Sequence, residues 1–164
     1  MKTGIFYGST TGTTESVAKR LGGLLGVADA DIHNVAESAP SDVADYDLLV
    51  LGTSTWGSGD LQDDWQDFIA GLEELSLRGK KIALFGVGDE SMTDTFCNAV
   101  GTLYDRLKKT GAEFIGAFPD GSFTFKDSSA DTGEGVAVGL LLDETNHADL
   151  TDSRLAEWAA LLKK

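Results

Sequence analysis

Three short stretches hold residues whose types and spacing could do chemistry. The first, Gly8-Ser9-Thr10-Thr11-Gly12-Thr13-Thr14-Glu15-Ser16, brings five hydroxyls (Ser9, Thr10, Thr11, Thr13, Thr14) and backbone N–H groups to the start of a helical pattern. An anion needs several donors at once, and a helix N-terminus adds partial positive charge. No lysine follows the second glycine, and the spacing is not G-x-G-x-x-G, so the common nucleotide loops are absent. A phosphate dianion held by neutral donors suits a permanently bound cofactor. A hydrolysable triphosphate wants a lysine and Mg²⁺. A Ser/Thr-rich loop can also be plain helix capping with polar filler; the hydroxyls crowded around Gly12 favour phosphate.

The second stretch, Gly52-Thr53-Ser54-Thr55-Trp56-Gly57-Ser58-Gly59-Asp60, sets an indole among glycines and small polar residues. With no core nearby to bury it, Trp56 is expected to cover a planar ligand. The third is Gly86-Val87-Gly88-Asp89-Glu90-Ser91-Met92. Its glycines let the backbone approach a ligand closely, and Asp89 can accept from a ring N–H. No catalytic residue and no metal site are expected. His33 and His147 stand far apart without a nucleophile or ligand cluster, and both are expected at the surface. Cys97 has no His or Lys beside it, so a reactive thiol is not expected.

These stretches need elements to position them. Gly4–Tyr7 reads as a strand. Val17, Leu21, Leu24 and Leu25 then share one helical face, with Glu15 and Lys19 paired at i,i+4 on the polar side. Ile32–Val35 is a weak strand. Leu48–Leu51 and Ile82–Phe85 are pure apolar runs that suit strands buried on both faces. Trp65, Phe68, Ile69 and Leu72 make a second helical stripe; Phe96, Val100, Leu103, Tyr104 and Leu107 make a third, stopping near Gly111. Glu113–Phe118 and Val136–Leu141 are further apolar runs. Leu155, Trp158, Ala159 and Leu162 close the chain as a helix opened by Thr151 or Asp152. Strand and helix in alternation mean βαβ units, hence a parallel sheet with helices on both faces. In such a sheet the three stretches emerge at one carboxyl edge, where ligands bind. Pro119–Gly135 breaks the rhythm and reads as an insertion.

The chain has 164 residues, which fits one domain spanning 1–164. With 41% apolar residues it has enough for a real core. One cysteine excludes an internal disulfide framework. The 27 acidic residues against 13 Lys+Arg give a net charge of -14. Such a surface repels phosphate backbones and anionic lipids, so no nucleic acid and no membrane are expected as partners, whereas basic proteins are steered toward it. No apolar run spans a bilayer and no cleavable leader is read at Met1-Lys2, so the cytoplasm is the expected address.

Taken together these pieces resemble the flavodoxins. Gly8–Ser16, Thr55–Trp65, Phe85–Asp89, Phe96–Gly101, Val138–Asp143 through Asn146, and Leu150–Asp152 match in order across nearly the whole chain. The insertion at Pro119–Gly135 resembles the long-chain branch. The resemblance implies a flavodoxin-like three-layer α/β/α sandwich. Its five-stranded parallel sheet would have the order 2-1-3-4-5, with the last strand interrupted by the insertion. It also implies one flavin mononucleotide (FMN), bound non-covalently. The FMN phosphate would sit on Ser9, Thr10, Thr11, Gly12, Thr13 and Thr14, with Ser54 and Thr55 close by. The flavin ring would stack on Trp56 within Gly57, Ser58 and Gly59. Gly88, Asp89 and the backbone near Cys97 would bond its pyrimidine edge, and Asp143 would approach the ribityl chain.

One position departs from the family. Flavodoxins commonly carry a stacking tyrosine three residues after the aspartate; Met92 stands here. A thioether still makes S–aromatic contact worth ~0.3–1.5 kcal/mol, with less flat area. Phe96, Phe123 or Phe125 is the other candidate for that face.

The implied function is a low-potential electron carrier, monomeric and not an enzyme, moving one electron at a time between redox proteins. A ferredoxin/flavodoxin–NADP reductase or a low-potential oxidoreductase with a basic surface would be its partner. The acidic charge, with Asp60, Asp63, Asp64, Asp89, Glu90 and Asp94 near the ligand stretches, opposes a second electron. Each ~1.4 kcal/mol of repulsion shifts a one-electron couple by about 60 mV. Gly57 can rotate its peptide toward the flavin at little steric cost, which would favour a neutral flavin radical. An FMN-dependent quinone or nitro reductase on the same fold is the alternative; Trp56 closing one face argues against it. A phospho-receiver domain is not expected, because Gly8-Ser9 and Thr53-Ser54 stand where its acidic residues are required.

Overall fold

The run Leu48–Leu51 explains the architecture. Successive side chains of a strand face opposite ways. Leu49 and Leu51 enter a core with Phe6, Trp65, Ile82, Leu84, Val100 and Leu103. Leu48 and Val50 enter a second core with Ile5, Val17, Leu21, Ala83, Phe85 and Trp158. Both sheet faces are therefore covered, as the unbroken apolar runs require. The computed structural model describes residues 2–8, 12–56, 60–61, 63–87, 98–119, 136–142 and 148–163, with the backbone alone at 54–56, 60–61, 63, 98, 119, 136 and 148–150.

The elements are β1 (Thr3–Tyr7), α1 (Thr13–Leu25), β2 (Ile32–Asn34), β3 (Leu48–Trp56), β4 (Asp60–Leu61) and α2 (Asp63–Glu73). They continue as β5 (Lys81–Val87), α3 (Asn98–Leu107), β6 (Glu113–Ile115), β7 (Phe118–Pro119), β8 (Val136–Ala137), β9 (Leu140–Leu142) and α4 (Ala148–Leu162). The main sheet runs β2-β1-β3-β5-β6 with parallel pairings, and β9 also lies parallel on β5. The α1–α4 pair covers one face and the α2–α3 pair the other.

The fifth strand is in two pieces. Glu113–Ile115 pairs with Lys81–Ala83, and Leu140–Leu142 pairs with Phe85–Val87 on the same edge. Between them the antiparallel ribbon of β7 and β8 carries the chain out and back. Counting the halves as one, the order is 2-1-3-4-5 with an interrupted last strand, as expected. Gly139 enters β9 where any Cβ would strike the Leu84 carbonyl.

Local details differ from the sequence reading. β3 does not stop at Leu51; it continues through Trp56 because Gly52, Thr53 and Ser54 pair with Phe85, Gly86 and Val87. On α1 the buried face is Thr14, Val17, Ala18, Leu21 and Gly22, while Leu24 is exposed. Gly22 lies against Ile32, so the close approach of β2 rotates the helix face. Gly26 at φ 72 ends the helix in the left-handed conformation, with Val27 N–H donating to the Gly22 carbonyl at 2.8 Å. His33 is no simple surface residue. It is half-buried, stacked on Phe6 with ring centroids 4.8 Å apart, and its Nε2 lies 2.7 Å from the Tyr46 hydroxyl.

Candidate functional site

Parallel register brings the carboxyl ends of β1, β3 and β5 together. Tyr7 pairs with Gly52, Gly52 with Phe85, and Ser54 with Val87. The chain after β1, β3 and β5 therefore leaves from one carboxyl edge, as expected. β3 overshoots: from Gly52 to Trp56 it climbs about 13 Å past its pair with Tyr7, at ~3.3 Å per residue. Its end is secured by a turn back onto β4, with Thr55 opposite Leu61 and Trp56 opposite Asp60. Trp56 thus sits on a paired strand and not in a free loop.

At the foot of this step, Gly12 opens α1 at φ 89 and ψ -6, the left-handed conformation that favours glycine. Its carbonyl accepts the Ser16 N–H at 3.0 Å, and as a glycine it brings no capping side chain of its own. Thr14 in the first turn is buried, and among the described residues its Oγ1 finds no hydrogen-bond partner. Buried hydroxyls are nearly always paired, so an orphan at a helix N-terminus marks a place for an acceptor. A phosphate oxygen supplies one.

Glu15 is the acidic residue of that turn, and its carboxylate is turned aside. Oε1 accepts from the Tyr7 hydroxyl at 3.0 Å, and Oε2 meets Lys19 Nζ at 3.4 Å, the expected i,i+4 pair. Burial, followed by the bond to Glu15, pushes the Tyr7 hydroxyl up to about 12, so it stays protonated as the donor. These residues fit a phosphomonoester: neutral donors, a helix start, and a carboxylate already engaged elsewhere.

The carbonyl of Gly52 accepts two bonds. Gly8 N–H donates at 3.1 Å and the indole Nε1–H of buried Trp65 at 2.7 Å. A Cβ at Gly52 would overlap the Phe85 ring. The sequence reading placed Trp65 in an apolar stripe and missed this bond. The available signal was the indole N–H itself, which must find an acceptor once buried.

Of the predicted site residues, Gly12, Thr13 and Thr14 are brought to the foot of the step, and the backbone of Ser54, Thr55 and Trp56 to its riser. Ser9, Thr10, Thr11, Gly57, Ser58, Gly59, Gly88, Asp89, Met92, Phe96, Cys97 and Asp143 lie outside the described residues, as do Phe123, Phe125 and His147. Among the described residues no three His, Cys, Asp or Glu gather to hold a metal, and no helix is long and apolar enough to cross a membrane.

Comparison with known proteins agrees with this geometry. The family model described as Flavodoxin matches residues 5–158. "Flavodoxin 1" of Azotobacter vinelandii is 44% identical over 166 residues, covering 98% of this chain and 95% of that protein. "Flavodoxin 1" of Salmonella typhimurium is 42% identical over 157 residues, covering 95% of this chain and 89% of that protein. Among solved structures, Fusobacterium nucleatum flavodoxin bound to flavin mononucleotide superposes with a TM-score of 0.89 at 29% identity, over 99% of this chain and 98% of that one. A parallel sheet with its fifth strand split, a first helix opened by a left-handed glycine at its carboxyl edge, and similarity along nearly the full length lead to one conclusion: the chain belongs to the flavodoxin family.

Proposed function

We propose that this single domain, residues 1–164, binds one FMN non-covalently and carries electrons one at a time between redox proteins in the cytoplasm. When bound, FMN supplies the one-electron redox chemistry; the protein holds it and sets its surroundings. The observation that carries the reading is the buried Thr14 hydroxyl at the start of α1, unpartnered among the described residues, in a chain of this family. Thr14 donates to the phosphate, beside Ser9, Thr10, Thr11, Gly12 and Thr13. The step up to Trp56 gives the ribityl chain its run, with Ser54 and Thr55 along it and Asp143 nearby. Trp56 covers one ring face, Gly57, Ser58 and Gly59 border it, and Met92 or Phe96 covers the other. Gly88, Asp89 and the backbone near Cys97 hold the pyrimidine edge.

The net charge of -14 supports a low potential and a positively charged partner surface. A ferredoxin/flavodoxin–NADP reductase or a low-potential oxidoreductase fits, through a small, salt-sensitive contact of a monomer. The split fifth strand supports the long-chain type within the family. No residue is assigned a catalytic role.

The test is the visible spectrum of the purified chain with an FMN titration, followed by stepwise photoreduction. A yellow protein that binds FMN and reduces in two resolved one-electron steps is expected. A colourless chain that ignores FMN overturns the reading. Rapid NADPH oxidation with a quinone and no partner protein would favour a reductase instead.

A further inference from the structure

One backbone oxygen joins elements that the chain keeps far apart. The Gly52 carbonyl receives Gly8 N–H, the last described donor before the 9–11 segment of the phosphate loop. It also receives the Trp65 indole N–H, from the first turn of the helix that follows the 57–59 segment. Gly52 lies on β3, four residues before Trp56. A carbonyl has two acceptor sites, and here one is taken by the backbone that leaves β1 and the other by the helix that follows β4. The junction is closely packed. Trp65 is fully buried, it meets Phe68 edge-on with centroids 5.4 Å apart, and the Phe85 ring fills the space a Gly52 side chain would need.

We propose that Trp65 is a positioning residue: through the Gly52 carbonyl it sets where the end of β3 stands relative to the start of α1. The inference rests on the FMN reading above. FMN joins its phosphate and ring by a chain of fixed length, so it senses the spacing of the two regions. Inorganic phosphate and riboflavin each need one region and do not sense it. The ligands together separate a change of spacing from local damage.

Trp158 is the matched control. It too is fully buried and donates its indole N–H to a glycine carbonyl, Gly116, at 2.7 Å. That bond holds the break in the fifth strand and not a ligand loop.

The experiment measures dissociation constants of the full chain for FMN, riboflavin and inorganic phosphate in wild type, Trp65→Phe and Trp158→Phe. In Trp65→Phe, FMN binding is expected to weaken by about tenfold or more, with riboflavin and phosphate within about twofold. In Trp158→Phe all three stay within about twofold. An unchanged FMN constant in Trp65→Phe, or a loss shared equally by the two half-ligands, overturns the inference. Should Trp65→Phe fail to fold, hydrogen exchange of the indole N–H groups in the wild type decides. Slowing at Trp65 but not at Trp158 on adding FMN supports the proposal; no slowing at Trp65 overturns it. Absence of FMN binding by the wild type is a distinct result, and it removes the parent reading.

Discussion

The two ends of the sheet are finished in opposite ways. At the amino end the protein closes itself. The Tyr46 hydroxyl donates to Asp31 at 2.9 Å and lies 2.7 Å from His33 Nε2. Lys80 Nζ donates to the carbonyls of Tyr46 at 2.6 Å and Ala44 at 3.1 Å. The Tyr46 ring lies where a side chain on Gly4 would go, with Lys2 over its face. Glu73 takes both Arg106 and Lys109. At the carboxyl end, among the described residues, a glycine replaces a capping side chain and the Thr14 hydroxyl is left over. The difference teaches where to look for a ligand. Polar groups that need nothing more hold a fold, and a buried group left wanting an acceptor marks a site.

Substitutions at each end should therefore separate stability from binding. The largest effect is expected from Tyr46→Ala. Removing a buried aromatic side chain costs roughly 3–5 kcal/mol. Urea denaturation should show that loss, while the FMN dissociation constant of the folded protein stays near wild type. A large loss of affinity would mean the ends are not independent.

Thr14→Val is the reciprocal case. It keeps the shape and removes a hydroxyl that has no partner among the described residues, so the urea midpoint of the FMN-free chain should hold or rise slightly. FMN should bind about 10–100-fold more weakly, the weight of one charge-assisted hydrogen bond of ~1.5–3 kcal/mol. Unchanged binding would place the phosphate elsewhere.

Alkaline titration sharpens the contrast further. Burial, then the bond to Asp31, pushes the Tyr46 hydroxyl up to about 12, and Tyr7 is raised likewise through burial and Glu15. An unfolded tyrosine ionises near ~10. The folded state thus holds these protons more tightly, and their contribution is complete below about pH 10 and lost as pH rises toward 12. Stability should fall across that window, less steeply in Tyr46→Phe. Glu73 has the opposite sign. The bonds from Lys109 and Arg106 hold its carboxyl below the usual range, so its contribution is lost as the solution is acidified. Smallest of all, Lys19→Ala removes an exposed pair worth about 0.2–0.5 kcal/mol, a difference that should vanish in high salt.

Much of this was legible in the residues. Leu48–Leu51 and Ile82–Phe85 announce strands covered on both faces, and Pro119–Gly135 marks the broken strand. What escaped depends on partners distant in sequence. Gly52–Trp56 has the composition of a loop, yet β5 on one side and β4 at the tip hold it as strand. Leu24 looks like core on a helical wheel, but Gly22 turns toward Ile32 and carries the buried face with it. His33 looks solitary until the register lays it beside Phe6. The Trp65 bond spans 13 positions, which no local pattern reports. The polar stretch before α1 stood out because its signal is local: hydroxyls, a glycine and a helix start close together in sequence.

The broken fifth strand has a consequence for how this molecule can change. Both halves are anchored to one neighbour, Glu113–Ile115 to its first residues and Leu140–Leu142 to its last. The ribbon of Phe118–Pro119 with Val136–Ala137 brings the departing and returning backbone side by side. The 120–135 segment joins the fold at this paired end. Trimming or lengthening it leaves the sheet's alignment alone, and doubling its length costs only ~0.6 kcal/mol of closure entropy.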